Sequence, residues 1–293
     1  MKTKRLILMV IIFLILFLVY IKFARVVNYY DKNGLIYYPE NRPKLQFTRD
    51  VVEVNENYTK EKIIFESKGA KIYGYLFLPN KKEKSPGIIF LPAAQATKEG
   101  ASTESKVFLK NGFVVLTIDQ RGVGETDTKI PTSEEDFNNF KDKKETLQGL
   151  MVYDALRSFD LLSQILEIDN KKIIMSGSSM GGRTAIIATA IEKNIHSALI
   201  ISSSGYNVKQ ENDKELNNYI YSLNPNNYIS LIQPRKIIMI HSQNDKVIPL
   251  EDAKITYNLA KDPKDLIILN ECNHGYCDEM ILYVNKSLNE LIL

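Results

Sequence analysis

The chain has 293 residues, 44% of them hydrophobic and 25% charged, an ordinary globular balance that excludes a disordered chain, a collagen-like repeat and a coiled coil. Five of the 38 basic residues (Lys2, Lys4, Arg5, Lys22 and Arg25) lie in the first 25 positions, which hold no Asp or Glu; the remaining 33 face 35 acidic residues, so the rest is faintly acidic and lacks a nucleic-acid footprint. Two cysteines exclude a disulfide-dense scaffold and a four-cysteine zinc site, and three histidines are few enough to weigh singly.

Leu6 to Ile21 is an uncharged run of Leu, Ile, Val, Phe and Met with one Tyr. As a helix it reaches about 24 Å, and extended to Val27 about 33 Å, enough to cross the roughly 30 Å hydrocarbon core with Lys22 and Arg25 snorkelling to the headgroups. Residues 1–27 are therefore expected to form a single transmembrane anchor. A cleaved signal peptide is the alternative, but Tyr20-Ile21-Lys22-Phe23-Ala24-Arg25 offers no small-x-small cleavage site. Lys2, Lys4 and Arg5 favour the N-terminus inside, which puts the remainder outside the cytoplasmic membrane.

Residues 28–60 are polar and turn-rich and read as a linker that ends by packing on the domain. From 61 to 293 short apolar strands alternate with helices. Lys62–Glu66 and Ile72–Leu78 are two early strands around a Lys68-Gly69 turn. Gly87–Leu91, Phe113–Ile118, Lys172–Met175, Ala198–Ser202, Ile237–Ile240 and Leu266–Leu269 are further strands. Helical spacing marks Ser102–Lys110, ended by Asn111-Gly112, and Thr146–Leu166, Met180–Ile191, Leu250–Ala260 and Asp278–Ile292. The pattern predicts an α/β domain with a mostly parallel, eight-stranded sheet covered on both faces and an antiparallel start. Residues 125–145 and 205–233 are polar excursions too short for separate domains; the second makes a short cap.

Gly177-Ser178-Ser179-Met180-Gly181 fits Gly-x-Ser-x-Gly between a predicted strand and a predicted helix. Side chains two residues either side of a serine on so tight a turn would collide, and glycine removes the collision. The hydroxyl then stands at a helix N-terminus, where free N–H groups favour negative charge. A serine nucleophile needs a general base, with the acid and then the base following it in this chain order. Asp245 follows the strand Ile237–Ile240 and His274 follows Leu266–Leu269. Both sit at strand C-terminal ends, the edge where parallel sheets bind ligands. Ser179 is the expected nucleophile, His274 the proton shuttle and Asp245 the orienting acid. His241 reads as a structural hydrogen-bonding residue and His196 as a partly exposed strand start. Asp252 and Glu271 are fallback acids. The oxyanion donors are expected at the backbone N–H of Met180 and, from the loop Pro92-Ala93-Ala94-Gln95-Ala96, at Ala94, since Pro92 has no N–H.

Together these motifs resemble the α/β-hydrolase superfamily over about residues 60–293. Its members often carry Asp-x-Arg-Gly-x-Gly-x-Ser after the fourth strand, here Asp119-Gln120-Arg121-Gly122-Val123-Gly124-Glu125-Thr126. Its acid loop, His-Gly-x-x-Asp-x-x-Val-Pro, is matched by His241 to Pro249, and its His-Gly by His274-Gly275. Pro92-Ala93 replaces the superfamily's His-Gly after the third strand. Asp119 and Arg121 read as loop-fixing. The transmembrane start followed by Leu35-Ile36-Tyr37-Tyr38-Pro39 resembles the membrane-anchored members. The resemblance implies a serine hydrolase cleaving carboxylic esters or thioesters of a small acyl or lipid-like substrate through an acyl-enzyme. A serine peptidase of the same fold and a catalytically silent scaffold are the alternatives.

No cofactor or metal is expected: Gly122-Val123-Gly124 is no dinucleotide fingerprint, because Asp127 holds the third glycine position, and no phosphate loop or His-Glu-x-x-His occurs. Cys272 and Cys277 bracket His274 and are either a disulfide closing a six-residue loop or two free thiols.

Overall fold

Hydrophobic patterning divides the sheet into two regimes. The computed structural model describes residues 29–293, so the expected anchor at 1–27 lies outside the described residues. Among the described residues no helix is long and apolar enough to cross a membrane. Strands β4 (Ser85–Leu91), β5 (Val114–Ile118) and β7 (Ser197–Ile201) are apolar runs buried almost throughout. Such strands must be covered on both faces. By contrast β2 (Tyr58–Ser67) alternates buried and partly exposed positions, and β3 (Ala70–Pro79) alternates over its first half, as strands with one core face do. The remaining strands are β1 (Phe47–Val54), β6 (Ile168–Ser178), β8 (Ile237–Ser242) and β9 (Lys264–Leu269).

The sheet therefore has nine strands, not eight, in the order β1-β2-β3-β5-β4-β6-β7-β8-β9. The extra strand is β1, inside the stretch read as linker. Nearly all its residues are exposed, so it shows no alternation for a sequence pattern to catch. It pairs antiparallel with β2, and Arg49 on it donates to Glu61 at 2.6 Å. β2, β3 and β5 pair antiparallel, and β5, β4, β6, β7, β8 and β9 are parallel.

Among the described residues the α-helices are α1 (Ser102–Lys110), α2 (Ser133–Lys141), α3 (Leu147–Leu162), α4 (Met180–Ile191), α5 (Lys214–Leu223), α6 (Leu250–Leu259) and α7 (Met280–Leu291). α1 and α7 cover one face over Phe90, Phe108, Phe113 and Leu288; α3 and α4 cover the other over Val152, Leu156, Ile186 and Met175. α2 and α5 lie within the two polar excursions. Thr132 and Glu135 form a capping box at α2, and the Asp213 side chain caps α5. Phe137 and Phe140 of α2 stack on Tyr219 of α5, whose hydroxyl donates to Asp136 at 2.7 Å. The two excursions thus meet as one small cap.

Residues 29–46 form a strap rather than a free linker. Tyr30, Leu35, Ile36, Tyr38 and Leu45 are buried in the core beside α3 and α4. The Ile36 N–H donates to the Tyr228 hydroxyl at 2.7 Å. Arg42 donates to both oxygens of Asp160 at 2.8 Å and pairs with Glu192, joining the strap to α3 and to the residue that ends α4.

Removing the Arg42 cation leaves the buried Glu192 carboxylate without its counter-ion, while Asp160 keeps Arg157 at 2.6 Å. The side chains of Arg42 and Glu192 are only 3% and 2% exposed. Loss of one partner of such a pair costs about 3–5 kcal/mol. Arg42→Met is expected to lower the free energy of unfolding by about that amount, read from the midpoint of urea denaturation.

Candidate active site

The parallel strands β4 to β9 end at a common edge. There the chain turns back on itself: β5 lies on one side of β4 and β6 on the other, which makes a switch point between β4 and β6. Ser179 stands at that point, between the end of β6 and the start of α4. Its backbone is at φ 52° and ψ −116°, left-handed for a residue with a side chain. Such strain costs about 1–3 kcal/mol and persists only where neighbours impose it. Here they do. A Cβ on Gly177 would lie 2.4 Å from the Gly181 backbone, and one on Gly181 would lie 2.0 Å from the Leu91 carbonyl oxygen. Ser179 donates its N–H to the Ile201 carbonyl at 3.0 Å and receives the Ser203 hydroxyl on its own carbonyl at 2.7 Å.

The structure brings the three expected side chains together. His274 Nε2 lies 2.9 Å from Ser179 Oγ, and His274 Nδ1 lies 2.8 Å from Asp245 Oδ2. A carboxylate oxygen facing Nδ1 calls for the proton there, leaving the Nε2 lone pair toward the serine hydroxyl. Asp245 is 5% exposed, and its Oδ1 accepts the N–H groups of Val247 and Ile248, each at 2.9 Å. His274 and Ser179 are half-buried, so the site is open to solvent from one side. Asp252 bonds Asn207 at 3.2 Å, and Glu271 is exposed; the imidazole faces neither.

Met180 is the first residue of α4, so its N–H has no acceptor within the helix. Ala94 lies on the loop after β4, exposed, just before Gln95 at φ 63°. That loop starts at Leu91 and Pro92, whose carbonyl oxygens pack on Gly181. Gln120 Nε2 donates to the Pro92 carbonyl at 2.5 Å.

Sequence reasoning missed Lys98, which fastens the far end of this loop. The side chain is 1% exposed, and its Nζ lies 2.7 Å from Asp119, 2.8 Å from Glu125 and 3.0 Å from Glu99. Its N–H donates to the other Asp119 oxygen at 2.7 Å. Thr97-Lys98-Glu99 carries no sequence mark of burial; the available signal was Asp119, an acid at a strand end in want of a cation. Arg121 takes the loop-fixing place expected of it, donating to Asp154 at 2.7 Å and to the Ser67 carbonyl at 2.8 Å.

His241 is fully buried at the end of β8, and His196 is half-buried at the start of β7, the opposite edge of the sheet. His241 Nε2 lies 2.9 Å from the Ile248 carbonyl, which can only accept, so the proton sits on Nε2. Its Nδ1 is buried without a partner. Burial pushes its pKa down, so it is neutral, and the 3.6 Å approach of Nε2 to Asp245 Oδ2 is not an ion pair.

Cys272 and Cys277, left open by the sequence, are joined in a disulfide with Cα atoms 6.1 Å apart. Among the described residues their sulfurs and the Glu279 carboxylate form the one group with metal-ligand spacing. Joined sulfurs offer no thiolate, so the oxidised pair is no metal site.

The family described as acetyl xylan esterase (AXE1) matches residues 40–203. Protein YfhR of Escherichia coli O157:H7, an uncharacterized protein, is 22% identical over 299 residues, covering 95% of this chain and 94% of its own. Acetyl esterase Axe7A of Xylanibacter ruminicola is 23% identical over 226 residues, 67% of this chain and 51% of that protein. Among solved structures, the acetyl xylan esterase of Paenibacillus sp. R4 superposes with a TM-score of 0.75 at 16% identity, over 86% of this chain and 90% of that one. At that identity the likeness speaks for the fold.

The depressed pKa of His241 gives a pH dependence with a definite sign. Unfolded, the imidazole has its ordinary value of 6.5; folded, it resists the proton. Below about pH 6.5 the unfolded chain binds a proton that the native chain does not, so this contribution to stability is lost as pH falls toward the folded value. His241→Gln keeps a donor for Ile248 without titrating. Melting temperatures across pH 5 to 8 are expected to vary less steeply in the variant than in the wild type.

Proposed function

The chain belongs to the acetyl xylan esterase (AXE1) family and is an ester-cleaving hydrolase of the α/β-hydrolase superfamily, and from that premise we propose that it removes short acyl groups, acetyl foremost, from carboxylic esters through a Ser179–His274–Asp245 triad. The observation that carries this reading is the unbroken line of hydrogen bonds, 2.9 and 2.8 Å, from the serine hydroxyl through the imidazole to a buried carboxylate. The preference for acetyl rests on the family and on the relative named as an acetyl esterase.

In this mechanism the Ser179 hydroxyl attacks the ester carbonyl while His274 Nε2 takes its proton. Asp245 holds the imidazole in the required tautomer and stabilises the imidazolium that forms. The carbonyl oxygen becomes an oxyanion beside the N–H groups of Met180 and Ala94, which are worth most when aimed at the charge that develops. His274 returns the proton to the leaving alcohol, and the acyl group remains on Ser179. A water molecule then repeats the sequence with His274 as base, and the carboxylic acid leaves.

The catalytic domain in this reading is held at a membrane by residues 1–27 and faces the extracytoplasmic side. The apolar run with Lys2, Lys4 and Arg5 before it supports the anchor. The Cys272–Cys277 disulfide agrees with an oxidising compartment. External protease added to intact spheroplasts is expected to digest the domain; full protection would place it inside.

The enzymatic test is a chain-length series of p-nitrophenyl esters given to the full chain and to Ser179→Ala. Turnover is expected to be greatest on the acetyl ester, to fall with acyl length, and to drop roughly 1000-fold or more in the variant. A wild type that is inert on every ester and unlabelled by a fluorophosphonate would sink the triad.

A further inference from the structure

Of the three triad side chains, His274 lies farthest from a regular element. Ser179 is held by the elbow, and Asp245 sits three residues past β8 with two backbone N–H groups on it. His274 lies five residues past the end of β9, on a stretch from 270 to 279 that is neither helix nor strand. Yet its imidazole must meet Ser179 and Asp245 at once. Cys272, Tyr276 and Cys277 pack on the core beneath this loop, and polar bonds tether it to the sheet edge. Ser242 donates to the Cys272 carbonyl, Asn244 to the Asn270 carbonyl, and Ser202 to the Gly275 carbonyl at 3.0 Å. Within the loop itself the disulfide adds a covalent cross-link. Cys272 belongs to the exit from β9. Cys277 belongs to the turn that opens α7, its carbonyl accepting from the Met280 N–H at 3.0 Å. The bond therefore closes the loop around His274, between the exit from β9 and the turn that leads into α7.

We propose that the Cys272–Cys277 disulfide is a brace that positions the His274 imidazole, so that the rate of acyl transfer depends on the redox state of this pair. The proposal rests on the reading of His274 as the general base. The two cysteines are positioning residues: they act through the loop and touch neither substrate nor serine.

The surroundings of the sulfurs make the brace persistent. Cys272 is 3% exposed and its sulfur lies 3.9 Å from Glu279 Oε2, whereas Cys277 is half-buried. An incoming thiolate reaches Cys277 Sγ, forms a mixed disulfide there and breaks the bond to Cys272. The electron pair then goes to a Cys272 thiolate that is both buried and beside a carboxylate, two features that disfavour it as a leaving group. With a dithiol reductant, the second thiol displaces Cys277; the reductant ends as a cyclic disulfide, and the two protons it gives up end on the cysteines as two thiols. Opening is thus possible but resisted.

The test uses the full chain as wild type, wild type reduced with dithiothreitol, and Cys272→Ser/Cys277→Ser. Alkylation without reductant should leave the mass of the native protein unchanged. Opening the brace is expected to lower kcat on an acetyl ester about 10-fold or more with KM changed less than about threefold, because misplacing a catalytic group by an ångström slows the chemistry far more than it weakens binding. The rate of fluorophosphonate labelling at Ser179 should fall in parallel, and oxidation of the reduced wild type should restore both. The melting temperature separates a loosened loop from a lost fold. The brace is overturned if the native protein takes two alkyl adducts, if the thiol-free variant keeps kcat within twofold, or if activity falls only as the folded fraction falls. Failure of the triad reading looks different, since the oxidised wild type would then not label at all, and the brace would fall with it.

Discussion

Backbone packed directly against backbone at Ser179 is the constraint on which the rest of this edge depends. Gly177 faces the Gly181 backbone, Gly181 faces the Leu91 and Pro92 carbonyls, and a Cβ on Gly182 would lie 2.5 Å from the Ser203 Cβ. No side chain can stand between these segments. The ends of β4, β6 and β7 and the first turn of α4 are therefore one close-packed unit, and the left-handed φ of Ser179 is what closing that unit requires. The loop carrying Ala94 leaves from the same unit at Pro92. Placing Ser179 and placing this loop are consequently a single problem with a single solution.

What backbone packing does at the elbow, buried charge does for the loops around it. Asp119 accepts from the Lys98 ammonium, the Lys98 N–H and the Glu125 N–H, so it draws together the loop after β4 and the loop after β5. Gln120 adds a second tie between the same two loops. Arg121 reaches the other way, to Asp154 on α3 and to the Ser67 carbonyl at the end of β2. Ion pairs of this kind add little net stability over well-packed apolar side chains. Their directional bonds, however, fix loop conformations that apolar contacts would leave adjustable. That is the useful property in loops that flank Ser179.

The elements with strong periodicity were legible in the sequence, and so was the order Ser179, Asp245, His274 along a parallel sheet. Both follow from local rules: an apolar run buried on two faces, and loops that fall at one edge because the strands are parallel. The parts that stayed hidden lack a local signature. β1 is exposed along its length, and its existence is decided by pairing with β2 rather than by its own pattern. Tyr30, Ile36 and Tyr38 bury themselves in a groove made by α3, α4 and Tyr228, which only the assembled fold supplies. Lys98 looks like any surface lysine until Asp119, 21 residues away, is brought beside it. The disulfide was undecidable because spacing does not give the Cα separation.

The division of labour between the two histidines near Asp245 shows environment overriding chemistry. Both imidazoles lie close to the same carboxylate oxygen, His274 at 2.8 Å and His241 at 3.6 Å. A proton shuttle needs a fixed acceptor on one nitrogen and a reacting group on the other. His274 has both. His241 spends its N–H on the Ile248 carbonyl, and its other nitrogen faces no polar partner, so it has nothing to hand a proton to. Its burial also matters for its neighbour. A positive charge on His241 would compete with His274 for Asp245 Oδ2 and would repel any positive charge on that imidazole. Keeping His241 dry and neutral therefore leaves the carboxylate free to serve the histidine that faces Ser179, and the same buried side chain shapes the 245–248 turn that holds Asp245 in place.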